Sequence, residues 1–321
     1  AYKITYYNEP EHQTIIGYSD ARGMVTANGA EYIGQGSRRK AGDNYVVHPT
    51  FTNDIEVGGW DSELEGIWVA KYEASSSNPS ASTGGGNTTD LDVKVLPGIT
   101  IWRDIQIGNM YTVSRNYSPE NNSHLMKNSE WGALAYLSYS NYGIGRETIV
   151  AQNTNSITGG SSKESEIYTT NVGQSTTGNA WGIYDINGIY EYVASYVNNG
   201  YSQLTSNGQI LIDAGTSEEN NEKRTVQVYE ASNGGNGTVD NDAINYKLSG
   251  EKMFGDAIYE SSTGYADSTG SWQDAYASIP YGEYPFFFRG YMYRTYSAMF
   301  SFYYASGANG AYCSFRPVLA F

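Results

Sequence analysis

The chain has a single cysteine, Cys313, so no intrachain disulfide can form and no cysteine-based zinc site can assemble. Its three histidines, His12, His48 and His124, stand far apart and offer no close pair for a metal. No metal and no cofactor are therefore expected. Charge is also scarce: Asp, Glu, Lys and Arg make up 17% of 321 residues, with a net charge of −15. A surface of that sign repels phosphate backbones, which excludes nucleic acid as a partner. No run approaches the ~18 uninterrupted apolar residues of a transmembrane helix, so no membrane span is expected. The opening Ala1-Tyr2-Lys3-Ile4 carries no leader pattern.

Tyrosine and glycine are plentiful instead, at 31 and 37 residues, and aromatics reach 14%. Tyr, Ser, Gly and Asn together form the alphabet of adaptable binding surfaces such as antibody loops, although loop-rich β proteins share it. The length suffices for a sizeable core and one or two domains.

Residues 1–45 alternate weakly between strand-like and glycine-rich stretches, which predicts an N-terminal segment of short strands and turns. A second unit runs over 46–321. Within it the alternating run Gly66 to Glu73 predicts a strand, and the Ser/Gly/Thr-rich stretch 75–90 predicts a flexible, exposed loop. Trp102, Ile105, Asn109 and Val113 recur at roughly helical spacing over 101–116, downstream of the breaker Pro97-Gly98. A second helix is predicted over 129–139, with Asn128 as N-cap, Glu130 in the first turn and Trp131 in the core. Residues 150–180 and 198–250 are polar and read as long loops. Trp181 to Gly188 leads into a short strand at Tyr190–Val193.

The last 41 residues hold eight Tyr and seven Phe, more than twice the aromatic density of the whole chain. Between Tyr291 and Cys313 the side chains follow no steady period, which predicts an exposed segment. Ser314 to Leu319 reads as a buried terminal strand.

Four separated segments resemble one family. Gly66-Ile67-Trp68-Val69-Ala70-Lys71-Tyr72-Glu73 is similar to the opening strand of formylglycine-generating-enzyme-like domains. His124 to Trp131 resembles that family's helix start, Trp181 to Tyr192 its "G-L-Y-D-M-x-G-N-V-W-E-W" stretch, and Arg289-Gly290 with Ser314-Phe315-Arg316-Pro317-Val318 its "R-G-G-S-W … G-F-R-P-V" close. The resemblance spans residues 66–319. It implies an α+β, C-type-lectin-like fold of the formylglycine-generating-enzyme subtype: a small twisted antiparallel sheet, two helices and extensive irregular loops.

Within that group the chain looks like the variable proteins of diversity-generating retroelements of phages and prophages. This resemblance implies a variable region at about 281–317, diversified at adenines, with Arg289-Gly290 and Phe315-Arg316-Pro317 holding the backbone. The implied ligand-facing positions are Tyr291, Tyr293, Arg294, Thr295, Tyr296, Ala298, Tyr303, Tyr304, Ala305, Ser306, Ala308, Asn309, Ala311 and Tyr312. Met292 and Met299 do not fit adenine-directed change and are expected to be fixed or packed inward. Trp68, Trp102, Trp131, Trp181 and Tyr192 are expected to stiffen the scaffold.

The function implied is receptor recognition, with a protein or glycan on a bacterial surface as ligand and a phage tail or cell surface as location. The rivals are a structural tail or fibre component and a degenerate oxidoreductase of the formylglycine-generating type. The oxidoreductase needs a pair of cysteines after its "R-G-G-S-W" motif, and no cysteine stands between Arg289 and Tyr312. A Ca²⁺ lectin is a further rival, but Asp185, Asn187, Asp240 and Asp242 read more simply as turn formers. No enzymatic activity is expected.

Overall fold

The computed structural model describes residues 5–7, 45–53, 59–140, 142–145, 157–160, 168–230, 247–248, 255–258, 278–290 and 299–321. The chain is mixed α+β. In order, its elements are β1 (Thr5–Tyr7), β2 (Tyr45–Val47), β3 (Ile67–Val69), β4 (Ser75–Ser76), β5 (Val93–Lys94), α1 (Ile107–Asn116), β6 (His124–Leu125), α2 (Asn128–Tyr139), β7 (Tyr190–Asn198), α3 (Ser202–Thr216), α4 (Asn220–Lys223), β8 (Gln227–Glu230), β9 (Lys247–Leu248), β10 (Phe286–Arg289), β11 (Phe302–Ala305), β12 (Cys313–Phe315) and β13 (Pro317–Ala320). β1 pairs antiparallel with β2.

β7 organises the fold. One edge pairs antiparallel with β10. The other is shared, its first residues pairing with β12 and its last with β8, both in parallel. The strand is buried on both faces, as a central strand covered on two sides must be. Val193 and Val197 face one core with Trp131, Phe287 and Phe302. Tyr192, Ala194 and Tyr196 face a second core with Trp102, Phe286 and Phe315. This central sheet is therefore mixed, not the purely antiparallel one expected, because two of the strands reach β7 after long crossovers rather than hairpins.

A three-stranded antiparallel sheet, in the order β3-β13-β6, ties residues 67 and 124 to the C-terminal strand. Strand β3 covers only part of the predicted Gly66–Glu73 run. The terminal strand is broken into β12 and β13 at Arg316. That side chain is fully buried, clasps the Glu191 carboxylate and donates to the carbonyls of Ala70 (2.7 Å) and Tyr184 (2.8 Å).

Helix α2 lies where predicted, with Trp131 buried and its indole N–H donating to Met299 O at 2.7 Å. Its N-cap is Lys127 rather than Asn128, and Glu130 reaches back to accept the Lys127 N–H. Helix α1 begins only at Ile107. Trp102 and Ile105 precede it, because Asp104 takes a left-handed conformation (φ 58°) that no helix interior allows.

Two expectations fail. Residues 202–216, read as loop, form helix α3, which buries Leu204, Gly208, Leu211 and Ala214 at helical spacing. The Ser/Gly/Thr-rich stretch 75–90 is a built structure: β4 pairs with β5, and Trp102 donates its indole N–H to Gly86 O at 2.8 Å. A Cβ at Gly85 would lie 2.6 Å from the Trp102 ring, so the glycine is required for the loop to lie against it.

Candidate ligand-binding face

The central sheet ends in β11, the outermost strand on its side among the described residues. Its register sets Tyr303 opposite Phe288 and Tyr304 opposite Phe287. Neighbours along a strand point to opposite faces. At this outer strand, however, the two phenol rings stack, centroids 4.1 Å apart, and the Tyr303 hydroxyl donates to that of Tyr304 at 2.8 Å. Both side chains are half-buried.

Two tyrosines outside the expected set extend this cluster. Tyr281 and Tyr284 close a tight turn through reciprocal backbone bonds and pack against Tyr304 at 4.8 and 5.0 Å. The paired tyrosines of Tyr281-Gly282-Glu283-Tyr284, just ahead of β10, are the sequence signal that marks them. Together the four rings form one aromatic platform, with Tyr284 37% exposed.

Beyond β11 the chain runs through an irregular arch, residues 306–312. Ser306 and Ala308 are partly exposed, and Asn309, Ala311 and Tyr312 are exposed, Tyr312 by 74%. The backbone of the arch is held by groups outside it. Asn207 Nδ2 donates to Ser306 O at 2.8 Å. The Ile107 N–H donates to Gly307 O at 3.0 Å, satisfying a donor that the start of α1 would otherwise leave open. The Tyr192 hydroxyl donates to Ala308 O at 3.1 Å, the Asp104 N–H to Gly310 O at 3.0 Å and Arg103 Nη1 to Ala311 O at 2.9 Å. Arg103 is itself tied to the 75–90 loop through Ser82 O. Five carbonyls of the arch are thus gripped from outside. Two side-chain contacts depart from this pattern, Asn309 Nδ2 donating to Asp104 Oδ1 at 2.9 Å and the Ala308 N–H donating to Ser306 Oγ at 3.4 Å. Gly307 (φ 82°) is fixed as glycine, since a Cβ there would lie 2.6 Å from Phe286.

The expected ligand-facing set therefore divides. Tyr303, Tyr304, Ser306 and Ala308 are partly exposed, and Asn309, Ala311 and Tyr312 are exposed. Ala305 is buried instead; it is 3% exposed, pairs with Phe286 and packs in the second core. Tyr291, Tyr293, Arg294, Thr295, Tyr296 and Ala298, with Met292, lie outside the described residues. Met299 is packed inward.

The scaffold behind this face is polar as well as aromatic. Arg289 is fully buried and donates to Asn128 Oδ1 (2.9 Å), Ala257 O (3.1 Å) and Asp256 O. The carboxylates of Glu73, Asp185 and Glu191 are all buried around the single guanidinium of Arg316. Burial pushes each of them above the ordinary carboxylate range, Asp185 to about 7, while Arg316 pulls the other way. Burial also pushes the Cys313 thiol up to about 12. Trp102, Trp131 and Tyr192 are buried as expected, but Trp68 (59% exposed) and Trp181 (88%) are not. Being aromatic does not place a residue inside; a facing partner must cover it.

No protein-family model matches the chain, and no curated protein matches it.

Proposed function

We propose that this chain is a C-type-lectin-like display scaffold of the formylglycine-generating-enzyme subtype. In this reading the Tyr-rich C-terminal surface is the hypervariable receptor-recognition face of a diversity-generating retroelement product. One observation carries it: the arch 306–311 is held through its carbonyls by donors outside the arch. A carbonyl is present whatever the side chain, so residues 308, 311 and 312 can change identity without loosening the backbone that presents them, and residue 306 can change at the loss of one 3.4 Å bond from the Ala308 N–H. Fixed loops and rigid aromatic anchors are what recognition surfaces need, since tyrosine supplies contact area at low rotamer cost.

The ligand is a protein or glycan of a bacterial surface, and the location is a phage tail or a cell surface, where many copies add avidity. The protein is not an enzyme. The high-pKa, buried Cys313 supports this, because a nucleophilic or metal-binding cysteine works as the thiolate.

Two tests bear on this. Randomising Ser306, Ala308, Ala311 and Tyr312 together should leave the melting temperature nearly unchanged in most clones while altering which bacterial cells the labelled protein binds. Wholesale unfolding of the library would reject the reading. In the genome of origin, a near-copy of the DNA for residues 281–321, differing mainly at adenines and beside a reverse transcriptase gene, is expected.

A further inference from the structure

A groove distinct from the tyrosine face opens between β3, helix α2 and the 176–183 loop, with a cavity of about 460 Å³. It shares no residue with the Tyr281/Tyr284/Tyr303/Tyr304 platform or with the arch. Its apolar lining comes from Ile67, Val69, Leu134, Leu137 and Ile183. Trp68, Trp181 and Tyr142 also line it, and they are 59%, 88% and 75% exposed. Indoles left this open at a concave apolar surface mark an interaction site, and the volume is that of a small-ligand pocket.

The polar groups decide which ligand. Thr176, Thr177 and Asn179 line the groove, but their side chains are committed within the loop. Thr176 Oγ1 accepts the Ile183 N–H, Thr177 Oγ1 donates to Asn179 Oδ1, and Asn179 Oδ1 accepts the Trp181 N–H. Lys71 is different. Among the described residues it is the only charged one lining the groove, and no carboxylate of theirs lines it, in a chain of net charge −15. Its ammonium donates to Ala180 O and lies 4.5, 5.6 and 5.7 Å from the centres of the Tyr168, Tyr72 and Tyr184 rings. Among the described residues it forms no ion pair. An ammonium has three N–H donors, so two remain for a ligand.

We propose that this groove binds a small amphipathic anion: an apolar body seated against Trp68 and Trp181, carrying one carboxylate that pairs with Lys71. The assignment follows from charge complementarity. An apolar cleft whose one cation meets aromatic rings but no acid among the described residues favours a single negative group, because a charge-assisted bond is strong where water is partly excluded.

The test is titration of the intact protein, followed by tryptophan fluorescence, with decanoate, 4-phenylbutyrate, decanol and cellobiose as probes. The two acids separate a chain-like from a ring-bearing body. At least one acid should bind saturably, and about tenfold more tightly than decanol, the neutral match. Lys71→Met should bring the acid's affinity down to that of decanol, and Lys71→Arg should restore it. Trp181→Ala, at a solvent-facing position, should weaken acid and alcohol alike while leaving the near-UV circular dichroism of the remaining aromatics intact. Equal binding of acid and alcohol to the unaltered protein overturns the proposal without any variant having to fold. Preference for cellobiose, meaning sugar stacking on the indoles, overturns it too, as does absence of saturable binding by either acid.

Discussion

Arg103 donates to the carbonyl of Ala311 at 2.9 Å across 208 residues of chain, and in doing so it links the 75–90 loop to the exposed C-terminal arch. The contact grips backbone and ignores the alanine side chain. Arg103→Ala removes this bond and the one to Ser82 O and should therefore cost about 1–3 kcal/mol. Replacing Ala311 itself by Asn, Ser or Tyr should change stability by less than about 0.5 kcal/mol. Chemical denaturation of the variants measures both, and a costlier Ala311 change would mean that the arch is held by its side chains.

The Arg316–Glu191 pair lies in the interior, with both partners essentially inaccessible. Arg316→Met strands Glu191, with Glu73 and Asp185 nearby, and should destabilise by roughly 3–5 kcal/mol. Glu191→Gln leaves a polar acceptor for the guanidinium and should cost less. The order of the two melting temperatures checks this.

Asp185, raised to about 7 by burial, fixes the sign of a pH effect. A carboxyl whose folded value lies above its unfolded one binds more protons in the native state. Its contribution is fully present below about pH 4 and is lost as pH rises through about 7. Stability should fall across that interval, and Asp185→Asn should flatten the fall. Melting curves at half-unit pH steps would show it, and an unchanged slope in the variant would assign the effect to other carboxylates.

Gly208 interrupts α3 with non-helical angles (φ −139°, ψ 28°), and a Cβ there would lie 2.4 Å from the Phe286 ring. Helix propensity alone says that Gly208→Ala stabilises. The packing says otherwise, and the variant should lose about 1–3 kcal/mol from overpacking. Thermal unfolding distinguishes the two signs.

Much of the local structure was legible. Helix α2 announces itself through Trp131, Leu134 and Ala135 behind an acidic first turn. The strand at Tyr190 was visible but underestimated, because Ala194 and Ser195 interrupt its apolar run with small residues that a doubly covered strand buries. Helix α3 was hidden by the Ser, Thr, Asn and Gly content of residues 202–216, although Leu204, Leu211 and Ala214 carried the spacing. Tyr281 and Tyr284 were present in plain sight, yet nothing local tied them to Tyr304.

By itself the sequence determined where helix-forming and aromatic-rich segments lie, since periodicity and composition act over a few residues. Only the tertiary structure decided which aromatics are covered. Trp102 is buried because Gly85, Gly86 and Phe315 come to meet it, whereas Trp68 and Trp181 remain open beside a groove. It also decided that the 75–90 stretch is a cradle, and that the arch is gripped by residues from as far back as Arg103. Burial and carbonyl capture depend on partners distant in the chain, and no local pattern encodes where those partners will meet.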